Sequence, residues 1–283
     1  MRLFLNNREI FEPTTIYDSS KRGLLAFEEL RGILKYRELI LQLVRRDLIS
    51  RYKRSTLGIA WTMLNPLGTM LILSFVFSNL FHAVNGYPIY VLSGLIAWTF
   101  FSQSTTASLS QNVWGSSLLQ KIYLPRTSFT LSAIGTGLVN LVLTLVPLFL
   151  IMSFTGYPLR LTMVFLPISI TLLAAFSLGI GLLFSTLAVY FPDVVDMYQV
   201  GLNAWMYLTP IIYPADIIPL PYRQWLLALN PMYYFVEIFR QPIYDGRLPS
   251  WQLLSTGTGI AIFSLFLGWI VFTWQANEFT YRA

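Results

Sequence analysis

The charged side chains suited to surface chemistry fall into four small groups, and none has the makeup of a catalytic centre. Asp47, Arg51, Tyr52 and Lys53 belong to the run Asp47-Leu48-Ile49-Ser50-Arg51-Tyr52-Lys53-Arg54, and Lys121 and Arg126 bracket Ile122-Tyr123-Leu124-Pro125. Asp193 and Asp196 share a short polar stretch, and Glu237 and Arg240 stand three apart, where a helix would let them pair on one face. Lys121 and Arg126 can pair with acidic groups of a protein partner or with lipid phosphate. Thiol chemistry and Cys-ligated metals are excluded because the chain has no cysteine. Its only lysines are Lys21, Lys35, Lys53 and Lys121, and none follows a glycine. The phosphate-cradling loop Gly-x-x-x-x-Gly-Lys-Ser/Thr is therefore absent from the sequence. The one histidine, His82, sits at the edge of an apolar stretch and reads as an interfacial polar residue. Asp216, Glu237 and Asp245 are too scattered to hold a metal and a pyrophosphate, which counts against a lipid-glycan transferase.

The elements that must position these residues follow from where charge is missing. Only 11% of the 283 residues are charged and 55% are apolar, against about 25% charged in a soluble domain. Too little polar surface remains for a water-soluble globule. Residues 55–120, 127–159, 161–192, 197–215 and 248–277 contain no Asp, Glu, Lys or Arg. A helix needs about 20 apolar residues to cross the hydrocarbon core. Asn85-Gly86-Tyr87-Pro88 divides the longest stretch as a turn. Six spans are expected, near 59–82, 88–109, 129–154, 162–189, 198–213 and 252–274. These runs are continuous and too long for the alternating strands of a barrel. Twelve of the 19 Lys and Arg precede residue 59, and Lys121, Arg126 and Arg282 join them on one side if both termini are cytoplasmic. Only Arg160, Arg223, Arg240 and Arg247 then lie outside. The first 20 residues hold no sustained apolar core, so the first span is expected to act as the insertion signal.

From Gly23 onward, Phe27, Leu30, Leu34, Leu41, Val44 and Leu48 recur at helical steps among basic residues. This predicts an amphipathic helix lying at the bilayer surface. The domain reading is a cytoplasmic N-terminal segment, 1–58, followed by a six-helix membrane domain, 59–283. No ionisable carboxylate or amine falls inside a predicted span. Ion-coupled transporters and proton pumps use such groups. A chain that moves cargo uphill without them, and without a phosphate loop, needs another chain to supply energy.

Tyr36-Arg37-Glu38-Leu39, Arg46-Asp47-Leu48, Arg51-Tyr52-Lys53-Arg54-Ser55, Leu57-Gly58, Trp61 and Pro66 together resemble the N-terminus of ABC-2 type permeases, most closely the branch exporting polysaccharide and teichoic acid, such as O-antigen and capsule permeases. Four further pieces match in order. They are Leu119-Gln120-Lys121-Ile122-Tyr123-Leu124-Pro125-Arg126, Tyr190-Phe191-Pro192-Asp193-Val194, Thr209-Pro210-Ile211-Ile212-Tyr213-Pro214, and Asn230-Pro231-Met232 with Glu237, Phe239 and Arg240. Pro192 stands where members commonly carry arginine. The resemblance implies a half-transporter in the cytoplasmic membrane. Two copies would pair with two copies of a separate ABC ATPase, which alone holds ATP and magnesium, and would move a lipid-linked glycan outward. A permease for drugs or ordinary lipids is the alternative. The long amphipathic N-terminus and Arg51-Tyr52-Lys53 favour the polymer branch.

Under that resemblance the ATPase-coupling residues are Asp47, Arg51, Tyr52, Lys53, Leu119, Lys121, Tyr123, Pro125, Arg126 and Asp193, with a short helix expected over 112–119. A glycan path needs rings that stack on sugar faces and hydroxyls for their edges. Trp98, Phe100, Phe101, Trp205, Tyr207 and Tyr213 are the candidates, with Asn203 and Thr209 nearby. Trp61, Tyr87, Tyr90, Trp251 and Trp274 fall where interfacial aromatic belts lie. The proline-rich 214–251 segment has helical apolar spacing over 222–229 and 232–241, which predicts two short re-entrant helices. The resemblance makes them an external gate containing Pro231, Glu237 and Arg240. Small residues four apart, Ala133/Gly137, Ser177/Gly181 and Ser264/Gly268, predict close helix packing, within the monomer or between copies.

Overall fold

The computed structural model describes residues 25–53, 55–58, 60–78, 80–81, 84–114 and 125–275, and every regular element among them is helical. The N-terminal helix is two helices, α1 (Leu25–Lys35) and α2 (Arg37–Tyr52), broken at Tyr36. The expected apolar stripe is correspondingly split. Leu43 is buried and Val44 abuts Gly135, whereas Leu34 and Leu41 are exposed.

The long helices are α3 (Ala60–Phe77), α4 (Tyr87–Trp114), α5 (Thr127–Phe154), α6 (Leu166–Tyr190, led in by a 3-10 turn from Leu161) and, last in the chain, Trp251–Gln275. Between them lie α7 (Val194–Leu208), α8 (Leu220–Leu229) and α9 (Pro231–Arg240), which makes the last helix α10. Four of these, α3, α5, α6 with its lead-in turn, and α10, are long and apolar enough to cross a membrane. The other two expected spans differ for separate reasons. Helix α7 has only 15 residues. It begins at Val194 rather than 198 and stops at Leu208, because Pro210 forces Thr209 into an extended conformation. Helix α4 has 28 residues, about 42 Å at 1.5 Å per residue, but its second half, Ser102-Gln-Ser-Thr-Thr-Ala-Ser-Leu-Ser-Gln-Asn112, is largely polar.

The position of α4 explains its composition. It is the central helix, packed against α3, α5, α6, α7 and α9. Its apolar half is buried almost continuously from Ile89 to Phe101. Part of its polar half is paired by the neighbouring helices. Ser108 Oγ donates to Thr130 Oγ1 at 2.9 Å and lies 3.0 Å from Ser185 Oγ, while the Asn112 amide reaches Thr130 at 2.9 Å. Three helices are thereby tied at one level. The flanking helices show the opposite pattern: α3 exposes Leu71, Ile72 and Phe75, and α10 exposes Ile262, Phe263 and Phe266.

Small residues set the tightest approach. A side chain on Gly268 would collide with the Gly179 carbonyl, and one on Gly179 would collide with the backbone at Ser264. Gly137 accommodates Ser104 and Phe100, and Gly181 accommodates Ser108. All three small pairs therefore pack within the monomer. The turn expected at Asn85-Gly86 is present. Gly86 adopts φ +69°, and the Tyr157 ring leaves no room there for a Cβ.

Candidate functional site

A groove of about 910 Å³ opens between α3, α4, α5 and α7. Helical periodicity places Thr99, Ser102, Gln103, Thr106 and Ser110 on one face of α4, where they form its back wall. Thr62 and Asn65 enter from α3, Asn140 and Thr144 from α5, and Gln199 and Asn203, one turn apart, from α7. Trp61, Trp98 and Phe100 add aromatic surface. None of the described lining side chains is ionisable. The groove thus offers amide and hydroxyl donors and acceptors beside rings, with no charge to hold an ion.

Of the six aromatic residues expected along a path, Trp98 and Phe100 line this groove, and Asn203 does so as well. Phe101 is fully buried, stacked on Phe176 at 5.3 Å with Trp205 edge-on at 5.3 Å. Trp205 also meets Trp98 and donates its indole N–H to Asn230 Oδ1 at 2.8 Å. Tyr207 is exposed on α7, and its carbonyl accepts from the Tyr213 hydroxyl at 2.8 Å. Most of the polar lining on α4 was not singled out from sequence. Its signal was the hydroxyl- and amide-rich run 102–112 inside an otherwise charge-free stretch.

At the Tyr87 end of α4 the chain is locked by polar contacts. Asn230 caps α9 by accepting from Met232 N at 3.1 Å, and its amide donates to Thr209 Oγ1 at 2.9 Å and to the Leu208 carbonyl at 3.2 Å. Pro231 occupies the first turn of α9, where its missing N–H is not needed. Glu237 and Arg240 do pair, at 3.1 Å. Arg240 is only 2% exposed and does more than pair. It donates to the carbonyls of Pro210 at 2.9 Å and Ile211 at 3.2 Å, and its guanidinium sits 3.9 Å from the Tyr90 ring centroid. Gly94 makes room for it, since a Cβ there would collide with the guanidinium. The Tyr90 hydroxyl in turn reaches the Tyr213 carbonyl at 3.1 Å. The two short helices expected over 222–229 and 232–241 are therefore present as α8 and α9, and α9 is clamped to the kinked end of α7.

At the Asn112 end, Asp47 of α2 accepts from Gln111 Nε2 at 2.8 Å and from its neighbour Arg46 at 2.9 Å. Gln111 accepts from Ser132 at 3.1 Å, so α2, α4 and α5 share one chain of hydrogen bonds. Pro125 lies against Gly32 of α1, and Arg126, at the start of α5, is buried, which lowers its pKa from the ordinary value. Glu29 accepts from Thr127 at 2.7 Å, and burial raises its pKa against that bond. The α2 backbone runs through Arg51 and Tyr52, whose side chains lie outside the described residues, and exposed Lys53 ends the helix. Leu119, Lys121, Tyr123 and most of the short helix expected over 112–119 lie outside the described residues, and 112–114 continue α4. Asp193 is exposed immediately before α7.

Comparison with known proteins identifies the family. The O-antigen export system permease protein RfbA of Myxococcus xanthus is 30% identical over 254 residues, covering 88% of this chain and 97% of that protein. A Klebsiella pneumoniae protein of the same name is 27% identical over 75% of this chain and 82% of its own length. The polysialic acid transport protein KpsM of Escherichia coli is 26% identical over 79% of this chain and 88% of its own. Residues 38–244, which hold the groove and the clamp at its Tyr87 end, match the family itself, and the chain belongs to the ABC-2 type transporters.

Proposed function

We propose that this chain is the membrane permease subunit of an ATP-driven exporter of a polysaccharide or related polymer, carried on a lipid. The observation that carries the reading is the uncharged groove on α3, α4, α5 and α7, whose lining pairs amides and hydroxyls with Trp61, Trp98 and Phe100. An ionic cargo would find no counter-charge there. A hydrocarbon cargo would have to strip water from the amides without replacing their hydrogen bonds, which costs about 1–3 kcal/mol for each group. A neutral glycan satisfies both parts of the lining, its hydroxyls on the amides and its C–H faces on the rings.

Polar side chains facing such a groove cannot be left to lipid. A second copy closing the groove by two-fold symmetry would give it a second wall and a wet interior. In this reading α4 and α7 span the membrane with the four apolar helices, both termini are cytoplasmic, and α1 and α2 lie along the inner surface. The ATPase, which holds ATP and magnesium, bears on α2 near Asp47, Arg51, Tyr52 and Lys53, on the 115–126 region and on the loop at Asp193. Helices α8 and α9 form the outer gate, held shut by Asn230 and Arg240.

Purification from native membranes tests the partner: an ABC ATPase should accompany the chain in equal amount. The complex in proteoliposomes should hydrolyse ATP faster with a lipid-linked glycan than with ordinary phospholipid or amphipathic drugs. Stimulation by drugs or phospholipid alone would overturn the polymer reading.

A further inference from the structure

A smaller chamber of about 210 Å³ opens off the groove toward α2. It shares Gln103, Ser104, Ala107, Gln111, Gly137 and Asn140 with the groove and adds Asp47, Ser50, Ala133 and Thr136 of its own. Two hydroxyls in its wall have no partner among the described residues, Ser104 Oγ and Thr136 Oγ1. Ser104 is 1% exposed and Thr136 7%. Neighbouring hydroxyls on the same two helices satisfy themselves on their own backbone. Thr105 donates to the Phe101 carbonyl, Ser132 to that of Phe129 and Thr144 to that of Leu141. Ser104 and Thr136 make no such bond, although each is buried where an unpaired hydroxyl costs free energy. Gly137 keeps the space beside Ser104 open, since any side chain there would collide with its hydroxyl.

The chemistry of the wall selects the ligand. Asp47 is the one charged side chain among the described lining residues, an acceptor held in place by Gln111 and Arg46. Three amides and three hydroxyls offer both donors and acceptors, while Ala107, Ala133 and Gly137 make a small apolar patch. A carboxylate with amides beside it suits the adjacent hydroxyls of a sugar, and the small residues suit its C–H face. At about 30 Å³ of liquid for each water, the volume corresponds to about seven waters, the scale of one ring rather than two. We propose that this chamber is a binding site for a single neutral pyranose unit, with Asp47, Gln111, Ser104 and Thr136 as its polar contacts. It rests on the polysaccharide reading and deepens it. One unit of the glycan would be held under α2, at the helix proposed to meet the ATPase, while the rest of the chain occupies the groove.

The absence of cysteine gives a direct test, because Ser50→Cys places one thiol at the mouth of the chamber and Tyr207→Cys places one on exposed α7. The full complex in nanodiscs, without ATP or glycolipid, is treated with a small thiol reagent. The sugars are methyl glucopyranoside, methyl mannopyranoside and methyl 2-acetamido-2-deoxyglucopyranoside, with betaine at equal osmolality as the control. At a sugar concentration about three times its Kd, the thiol at 50 should react about fourfold more slowly, and that at 207 at an unchanged rate. Adding Asp47→Asn or Thr136→Val to Ser50→Cys should abolish the protection. Equal rates in all sugars and betaine overturn the proposal, and so does protection that survives both second changes. Labelling reads occupancy without transport, so its failure leaves the export reading standing. Loss of glycolipid-stimulated hydrolysis in the unaltered complex would strike the export reading while leaving protection at residue 50 intact.

Discussion

The polar cluster at the Tyr87 end of α4 and the groove treat buried polar groups in opposite ways. At the Tyr87 end, Asn230 has four partners, and Arg240 meets two carbonyls, Glu237 and the Tyr90 ring. Along the groove and its side chamber, Ser104 and Thr136 are left without protein partners beside a polar void. Only the Nε of Arg240 lacks a partner in the first cluster among the described residues. A densely paired polar cluster rigidifies the helices that supply it, whereas an under-paired one stabilises little until something enters. Under the proposed function, the first region would be a closure that holds against pressure from cargo, and the second would make transient contact with cargo.

The largest effect should come from breaking the closure. Arg240→Met removes the guanidinium from two carbonyls and leaves Glu237 without its cation. The expected cost is about 3–5 kcal/mol, as for other broken buried pairs, read as a lower midpoint of thermal denaturation of the purified complex. A loss within measurement error would mean that the clamp is not a unit. Asn230→Ala should cost less, about 1–2 kcal/mol, by removing the α9 cap and the ties to Thr209 and Trp205. Hydrogen exchange should then rise across 231–240 before it rises in α4; uniform exchange would argue against a local latch.

The groove should show the reverse balance. Asn203→Leu, with Gln199→Leu on the same face of α7, should change stability by no more than about 0.5 kcal/mol each. Export of lipid-linked glycan should nevertheless fall, and unchanged export would remove α7 from the path. The smallest effect concerns α1. The pKa of Glu29 is raised by burial, so its carboxyl favours docking most when protonated. That contribution is whole below the ordinary carboxylate range and is lost as pH rises through the raised value. Glu29→Gln should therefore slow exchange in α1 at neutral pH and make little difference in acid. Faster exchange at neutral pH would show that the bond to Thr127 outweighs desolvation.

Much of this was legible along the chain because its causes are local. Proline and glycine acted on their own backbone, so the Asn85-Gly86 turn and the start of α9 at Pro231 fell close to their expected places. The Glu237–Arg240 pair was readable from helical spacing alone. The break at Tyr36 was not, because an apolar period continues across it while α1 packs mainly on α10 and α2 on α5. The small pairs pointed to close packing, yet Gly179, which receives both Ser264 and Gly268, was not singled out, although Ala175 stands four residues before it.

By itself, the amino-acid order determined that this is a membrane chain with no phosphate loop, because hydropathy and the makeup of such a loop depend on residues near one another in sequence. The tertiary structure decided which polar residues are spent on the fold and which face open space. Arg240 meets Pro210, Ile211 and Tyr90 across long stretches of chain, and the hydroxyls of α4 divide between helix ties and groove according to which neighbour lies opposite. A hydroxyl on a helix has the same sequence signature in either setting, and only the packing of the other helices distinguishes them.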